Sequence, residues 1–263
     1  LMLEELEQNM GQFAFGQPVT RTEDPKLLTG RGNYVSDVNL HRQAHGFVLR
    51  SPHAHAKILS INTSEAEAAP GVITILTGQD IIADGIGTTK VTQNHKREDG
   101  SPLFSVPHPG LVSDRVRYVG DYIAFIVAET QNQAKDAAEL IEVDFEPLDS
   151  ITNTAKAIEP DVPLVWDDCA NNISHTIEGG DKEGTDAAFS KADKIVKHRF
   201  VINRISANSM ETRGCVGDYD HREKRYIVYN DIQAPHALRQ VLSEDIFKVP
   251  QTDVQVIVGD IGG

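Results

Sequence analysis

The sequence predicts a mixed α/β chain of the α+β class, and three observations carry that expectation. Runs of alternating or continuous apolar residues recur as strands at residues 43–50, 57–63, 72–77 and 118–128. Alanine-rich, charged stretches at 132–140 and 185–194 have the composition of helices and sit beside such runs. Hydrophobic residues at 40% and charged residues at 24% of the 263 lie near ordinary globular usage, which excludes a fibrous or disordered chain.

Taken in order, residues 1–16 are weakly patterned and read as an N-terminal extension. Pro25, Gly30 and Gly32 then punctuate a loop. Two strands follow at 43–50 and 57–63; residues 64–69 offer a serine cap and helix formers, and 72–77 closes a β, α, β succession. Turn formers and mixed charges fill 78–110, so a long excursion with little regular structure is expected there. The apolar run ending at Ala128, the helix at 132–140 and a strand at 141–145 make a second β, α, β unit. Pro147 and the polar stretch 149–163 break the pattern and divide the chain into 17–148 and 149–263. Beyond the break come a helix at 185–194 running into a strand at 195–201 and a further strand at 225–229. A helix at 235–247, with Ala237, Leu238, Val241, Leu242 and Ile246 on one stripe, precedes a closing strand at 254–258.

Charge narrows the function classes. Thirty-nine acidic against twenty-five basic residues give a net charge of −14, a field that repels nucleic-acid phosphates and anionic lipid. Cys169 and Cys215 are too few for a disulfide framework or a four-cysteine metal site, so a reducing cytoplasm is expected. The first ten residues hold three glutamates and no Lys or Arg, unlike a secretory signal. No window approaches the roughly 18 consecutive apolar residues of a membrane span. The chain starts at Leu1 and stops inside a glycine run, and it reads as a fragment.

Several constellations could carry chemistry. His53 and His55, two apart, would share a face of an extended segment, but no Cys, Asp or Glu follows at ligand spacing, so structural hydrogen bonding is the expectation and no metal site. The run Gly259-Asp260-Ile261-Gly262-Gly263 follows a strand, where bare backbone can approach a ligand, and serves equally a tight turn or a ligand loop. It spells neither nucleotide-binding glycine motif. Gln233 precedes Pro235, a residue suited to a first helical position; its amide offers one acceptor and two donors to a ligand, or merely meets solvent. Glu211 and Arg213 are the right types for a buried ion pair, and Cys215, without a His or Cys partner in sequence, reads as a packed thiol.

Three separated segments carry a resemblance. They are Leu28-Thr29-Gly30-Arg31-Gly32-Asn33-Tyr34-Val35 with Arg50-Ser51-Pro52-His53-Ala54-His55-Ala56; Met210-Glu211-Thr212-Arg213-Gly214; and Gln233-Ala234-Pro235-His236 with the closing 259–263 run. In identity, order and spacing they resemble the large subunits of the xanthine dehydrogenase, aldehyde oxidase and aerobic carbon monoxide dehydrogenase family. The resemblance implies an a/b hammerhead domain followed by the start of the first molybdopterin-binding domain. It implies Gln233 near an oxygen ligand of molybdenum, and Gly262 and Gly263 as the start of a glycine-rich loop whose backbone approaches that centre. It also implies a molybdenum-molybdopterin cytosine dinucleotide cofactor, a medium subunit with FAD, a small subunit with [2Fe-2S] clusters, and a dimer of heterotrimers. The implied reaction is oxidation of an aldehyde, N-heterocycle or carbon monoxide with water as oxygen source, the base being a glutamate expected beyond residue 263. Neither Cys169 nor Cys215 matches the copper-binding cysteine of the carbon monoxide oxidisers. The competing expectation is a noncatalytic interaction or assembly module built on the hammerhead fold.

Overall fold

The computed structural model describes residues 20–91, 93 and 95–263, so the N-terminal extension 1–16 lies outside the described residues. After a short helix α1 (Asp24–Leu28), strands β1 (His45–Arg50) and β2 (Ala56–Asn62) lead into helix α2 (Ser64–Glu67), strand β3 (Val72–Thr77) and helix α3 (Gly78–Ala83). Strands β4 (Arg115–Val116) and β5 (Tyr122–Ala128), helix α4 (Gln131–Glu139) and strand β6 (Glu142–Pro147) complete the first half.

Two antiparallel sheets result, ordered β1-β5-β3 and β4-β2-β6. Strand β5 is the centre of the first and alternates between two cores, as the two-residue period of a strand requires. Ala124, Ile126 and Ala128 face a cluster with Ala134, Ala137, Ala138 and Ile141, while Ile123 joins Ala56, Val112 and Val116 on the other side. The three alanines of α4 lie at i, i+3 and i+4, so one smooth face of that helix rests on the sheet. Thr130 caps it by accepting the Gln133 N–H. Leu49, Ile61 and Val143 pack against both cores and join the two sheets.

Most sequence expectations hold within a residue or four, and the exceptions have local causes. Helix α3 lies inside the stretch expected to be irregular. Thr77 and Asp80 form a capping box there, the Asp80 carboxylate accepting the Thr77 N–H at 2.7 Å and its hydroxyl at 2.6 Å. The long apolar run expected at 118–128 is broken by a turn at Gly120, which has φ +94°.

The second half holds helix α5 (Lys182–Lys191), strands β7 (Cys215–Asp220) and β8 (Arg225–Asn230), helix α6 (Pro235–Gln240) and strand β9 (Val254–Ile257). Helix α6 continues as a π-helical stretch, Val241–Phe247, which encloses Ser243 completely. This half meets the first through loop contacts. The Gly87 N–H donates to the Ile246 carbonyl at 2.9 Å, Lys90 pairs with Asp245 at 2.9 Å, and Lys248 Nζ donates to the Gly85 carbonyl at 3.0 Å. A Cβ on Gly87 would strike the Asp245 carbonyl.

The strand expected at 195–201 does not form, a correction with a plain physical reason. No backbone group of residues 193–210 has a backbone partner among the described residues, so the β-favouring alternation has no ladder to join. Its apolar side chains stand in solvent: Phe200 is 81% exposed, Ile202 91% and Met210 98%. Helix α5 is likewise exposed along its length. Residues 177–210 thus form a continuous exposed arm. An apolar surface of this extent drives association. We expect the 263-residue chain to self-associate in light scattering, and replacement of Val196, Phe200, Ile202 and Ile205 by Ser to reduce the apparent mass; a stable wild-type monomer would contradict this.

Candidate functional site

Strands β7 and β8 form an antiparallel hairpin, and β9 lies parallel to β8 with pairs from Tyr226↔Val254 to Tyr229↔Ile257. Parallel neighbours release the chain at one edge, so the segment after β8, carrying Gln233, and the segment after β9, carrying the glycine run, leave the sheet on the same side. In sheets with a helical crossover this carboxyl edge is where backbone and helix starts meet ligands. Gln233 is exposed and stands two residues ahead of Pro235, the first residue of α6. Asn230 Nδ2 donates to the Gly214 carbonyl at 3.0 Å, which fixes the start of β7 to the end of β8.

The glycine run is gripped at two points. The Asp260 N–H donates to the Asn33 carbonyl at 2.9 Å, and Asp260 Oδ2 accepts the Asn33 N–H and Lys26 Nζ, each at 2.7 Å. Hydrogen bonding from Lys26, then from the Asn33 backbone, holds the Asp260 carboxyl below its ordinary value. Two residues on, the Gly262 N–H donates to Glu211 Oε2 at 2.5 Å. Glycine is required here by space: a Cβ on Gly262 would lie 2.6 Å from Glu211 Cβ, and one on Gly263 2.5 Å from Ser209 Cβ. Gly214 in turn faces Val35, whose Cγ1 would be 3.2 Å from an added Cβ. Asn33 of the first motif segment and Glu211 of the second, the former some 227 residues away in the chain, therefore meet on the closing run of the third.

Other expectations fare differently. Glu211 does not pair with Arg213 among the described residues; its carboxylate takes the Gly262 amide instead, and Oε1 is buried without a partner. Such an orphan costs about 1–3 kcal/mol, so the geometry at Glu211 is maintained against a penalty. His53 packs its ring on Phe145 with centroids 4.7 Å apart, and His55 Nδ1–H donates to the Asp149 carbonyl at 2.9 Å, so each imidazole is engaged separately. Among the described residues no group of three or more His, Cys, Asp or Glu is placed to hold a metal ion. Cys215, at the start of β7, is exposed as a residue rather than packed, although its thiol is partly shielded by neighbouring atoms. Desolvation and the Asp231 charge push its thiol pKa up, which disfavours the thiolate. A cleft of about 460 Å³ beside the edge is lined by Arg225, Pro235, His236, Arg239, Gln255 and Val258, and Gln233 and the glycines stand outside it. Sequence reasoning missed both grips on the glycine run, since nothing local announces a partner so far away.

Comparisons with known proteins match both halves of the fold. Residues 29–149 match the family model described as aldehyde oxidase and xanthine dehydrogenase, a/b hammerhead domain, and residues 165–263 match the molybdopterin cofactor-binding domain. The carbon monoxide dehydrogenase large chain of Afipia carboxidovorans is 37% identical over 92% of this chain and 30% of its own length. The nicotine 6-hydroxylase large subunit of Paenarthrobacter nicotinovorans is 35% identical over 94% of this chain and 29% of its own. Among solved structures, quinoline 2-oxidoreductase from Pseudomonas putida 86 superposes with a TM-score of 0.83 at 33% identity, covering 94% of this chain and 30% of that one. The chain thus spans about 30% of the length of the relatives it matches.

The Asp260 grip makes a pH prediction. A carboxyl whose folded pKa is depressed contributes stability that is present above the unfolded value, about 3.9, and is lost as pH falls through the lower folded one. Asp260→Asn and Lys26→Ala should each lower the urea midpoint at pH 7, and the gap between Asp260→Asn and wild type should narrow as the pH falls below the unfolded value of about 3.9. Equal midpoints at pH 7 would show that the grip contributes nothing.

Proposed function

We propose that this chain, which belongs to the aldehyde oxidase and xanthine dehydrogenase family of molybdenum hydroxylases, contributes the hammerhead unit and one wall of the cofactor site to a large subunit that oxidises a small molecule with water as oxygen source. The observation that carries this reading is the shared edge of β8 and β9, from which Gln233 and the glycine run both emerge. We assign residues 17–148 to the hammerhead unit and 149–263 to the opening of the cofactor domain, a division supported by the end of β6 at Pro147.

The residues at this edge suit a metal-pterin group. Gly262 and Gly263 pack their bare Cα side against the Ser209–Glu211 turn, where a Cβ would collide, so in this reading it is the outer face of their backbone that approaches the group. Gln233 presents a neutral amide with two donors and one acceptor, enough to hold an oxygen ligand or a pterin edge without adding charge. The group, a molybdenum-molybdopterin cytosine dinucleotide in this reading, supplies the two-electron oxidation when bound. This chain orients the group and surrounds it with fixed dipoles, and no proton transfer is assigned to its residues.

In this reading the chain would assemble with a small subunit bearing [2Fe-2S] clusters and a medium subunit bearing FAD, in a dimer of heterotrimers, and those groups would supply the route for electrons. The substrate in this reading is carbon monoxide, an aldehyde or an N-heterocycle; relatives named for carbon monoxide, nicotine and quinoline support the first and the last of these. No helix among the described residues is long and apolar enough to cross a membrane, in keeping with a cytoplasmic setting for such chemistry.

Elemental analysis tests the reading. The isolated 263-residue chain should retain no molybdenum and turn over no aldehyde, because one wall does not enclose a cofactor. Within a complete large subunit, Gln233→Ala should lower kcat by about a hundredfold, the cost of losing one preorganised donor. Stoichiometric molybdenum in the isolated chain, or an unchanged kcat in the variant, would overturn it.

A further inference from the structure

We propose that Glu211 is a positioning residue for the glycine run: its carboxylate holds the Gly262 amide and so sets the direction in which the bare Gly262 and Gly263 backbone leaves the sheet. Asp260 fixes the near end of the run on Asn33 and Lys26. Ile261 alone separates it from the second fixed point, the Gly262 N–H on Glu211 Oε2. Two fixed amides that close leave the intervening peptide units little freedom to rotate.

The chemistry at Glu211 favours this role over a merely structural one. A carboxylate that only stabilised the fold would be paired with a cation or fully hydrogen-bonded, yet Glu211 Oε1 is buried with no partner among the described residues. The hydrogen bond that holds the side chain is the one to Gly262, and a charged acceptor makes it roughly twice as strong as a neutral one. The residue is itself aimed by its own turn, in which Ser209 Oγ donates to the Glu211 carbonyl at 2.8 Å. Ser209 Cβ also lies where a side chain on Gly263 would have to go, so the same turn that presents the carboxylate keeps the last glycine bare.

This role rests on reading the glycine run as cofactor-facing, but the test reads the run itself. Residue-resolved hydrogen exchange is measured on the chain as wild type, Glu211→Ala and Glu211→Gln, with the amides of β5 and β8 as folding controls. In Glu211→Ala the Gly262 amide should exchange about tenfold faster or more, the fold-change of one lost charge-assisted hydrogen bond, with both strands unchanged. Glu211→Gln, which keeps a neutral acceptor of the same reach, should fall between. An unchanged Gly262 amide in Glu211→Ala overturns the proposal. If Glu211→Ala loosens β8 as well, Glu211→Gln decides: faster Gly262 exchange over an intact β8 supports the role, and any other result overturns it. Absence of molybdenum from a complete wild-type subunit would remove the cofactor reading while leaving these exchange rates as they are.

Discussion

The Asp260 N–H donates to the Asn33 carbonyl, the Asn33 N–H donates back to the Asp260 carboxylate, and Lys26 adds its charge to the same oxygen. This junction ties the loop ahead of the first sheet to the end of the last strand. Without it the glycine run would leave β9 with a free first peptide, while the halves would still meet where Gly87 bonds Ile246, Phe104 bonds Ser174 and Arg115 pairs with Asp167. One of its three hydrogen bonds joins main chain to main chain, and the other two converge on a single carboxylate oxygen, so the side chains it orders are Asp260 and Lys26.

Much of the fold was legible because it rests on local signals. The alternation in 72–77 coincides with β3, and the three alanines of α4 fall on the face that Thr130 and the helix period dictate. Strand β7 was not legible: Gly217, Asp218 and Asp220 have poor strand propensity, and it forms through cross-strand pairing with β8. The failure at 195–201 is the converse case, a good strand pattern with no neighbour. Periodicity reports which face a segment offers, and pairing decides whether the segment becomes a strand.

The candidate site divides along the same line. Gln233 and the closing glycines were found through their motifs, and their common origin at one sheet edge follows from the parallel register of β8 and β9. Glu211 was read as half of an ion pair because a base stands two residues away, whereas its partner is an amide far along the chain. A backbone donor has no sequence identity, so no inspection of residue types could have found that contact. The acidity of the chain gives the same lesson on another scale: a net charge of −14 disfavours binding to nucleic-acid phosphates but does not point to Asp260, whose lowered pKa depends on one lysine and one amide.

The close approach of Gly87 to the Asp245 carbonyl bears on how the long excursion after β3 can vary. From Ile82 to Lys90 it is a spacer of set thickness between two halves, where one added methyl group would act as a wedge against rigid main chain. Past Gly100 it is tied down again, the Phe104 N–H donating to the Ser174 carbonyl and His108 pairing with Thr89. Insertions should therefore be tolerated at the exposed turn of residues 98–100, with the chain on either side held constant like a gasket.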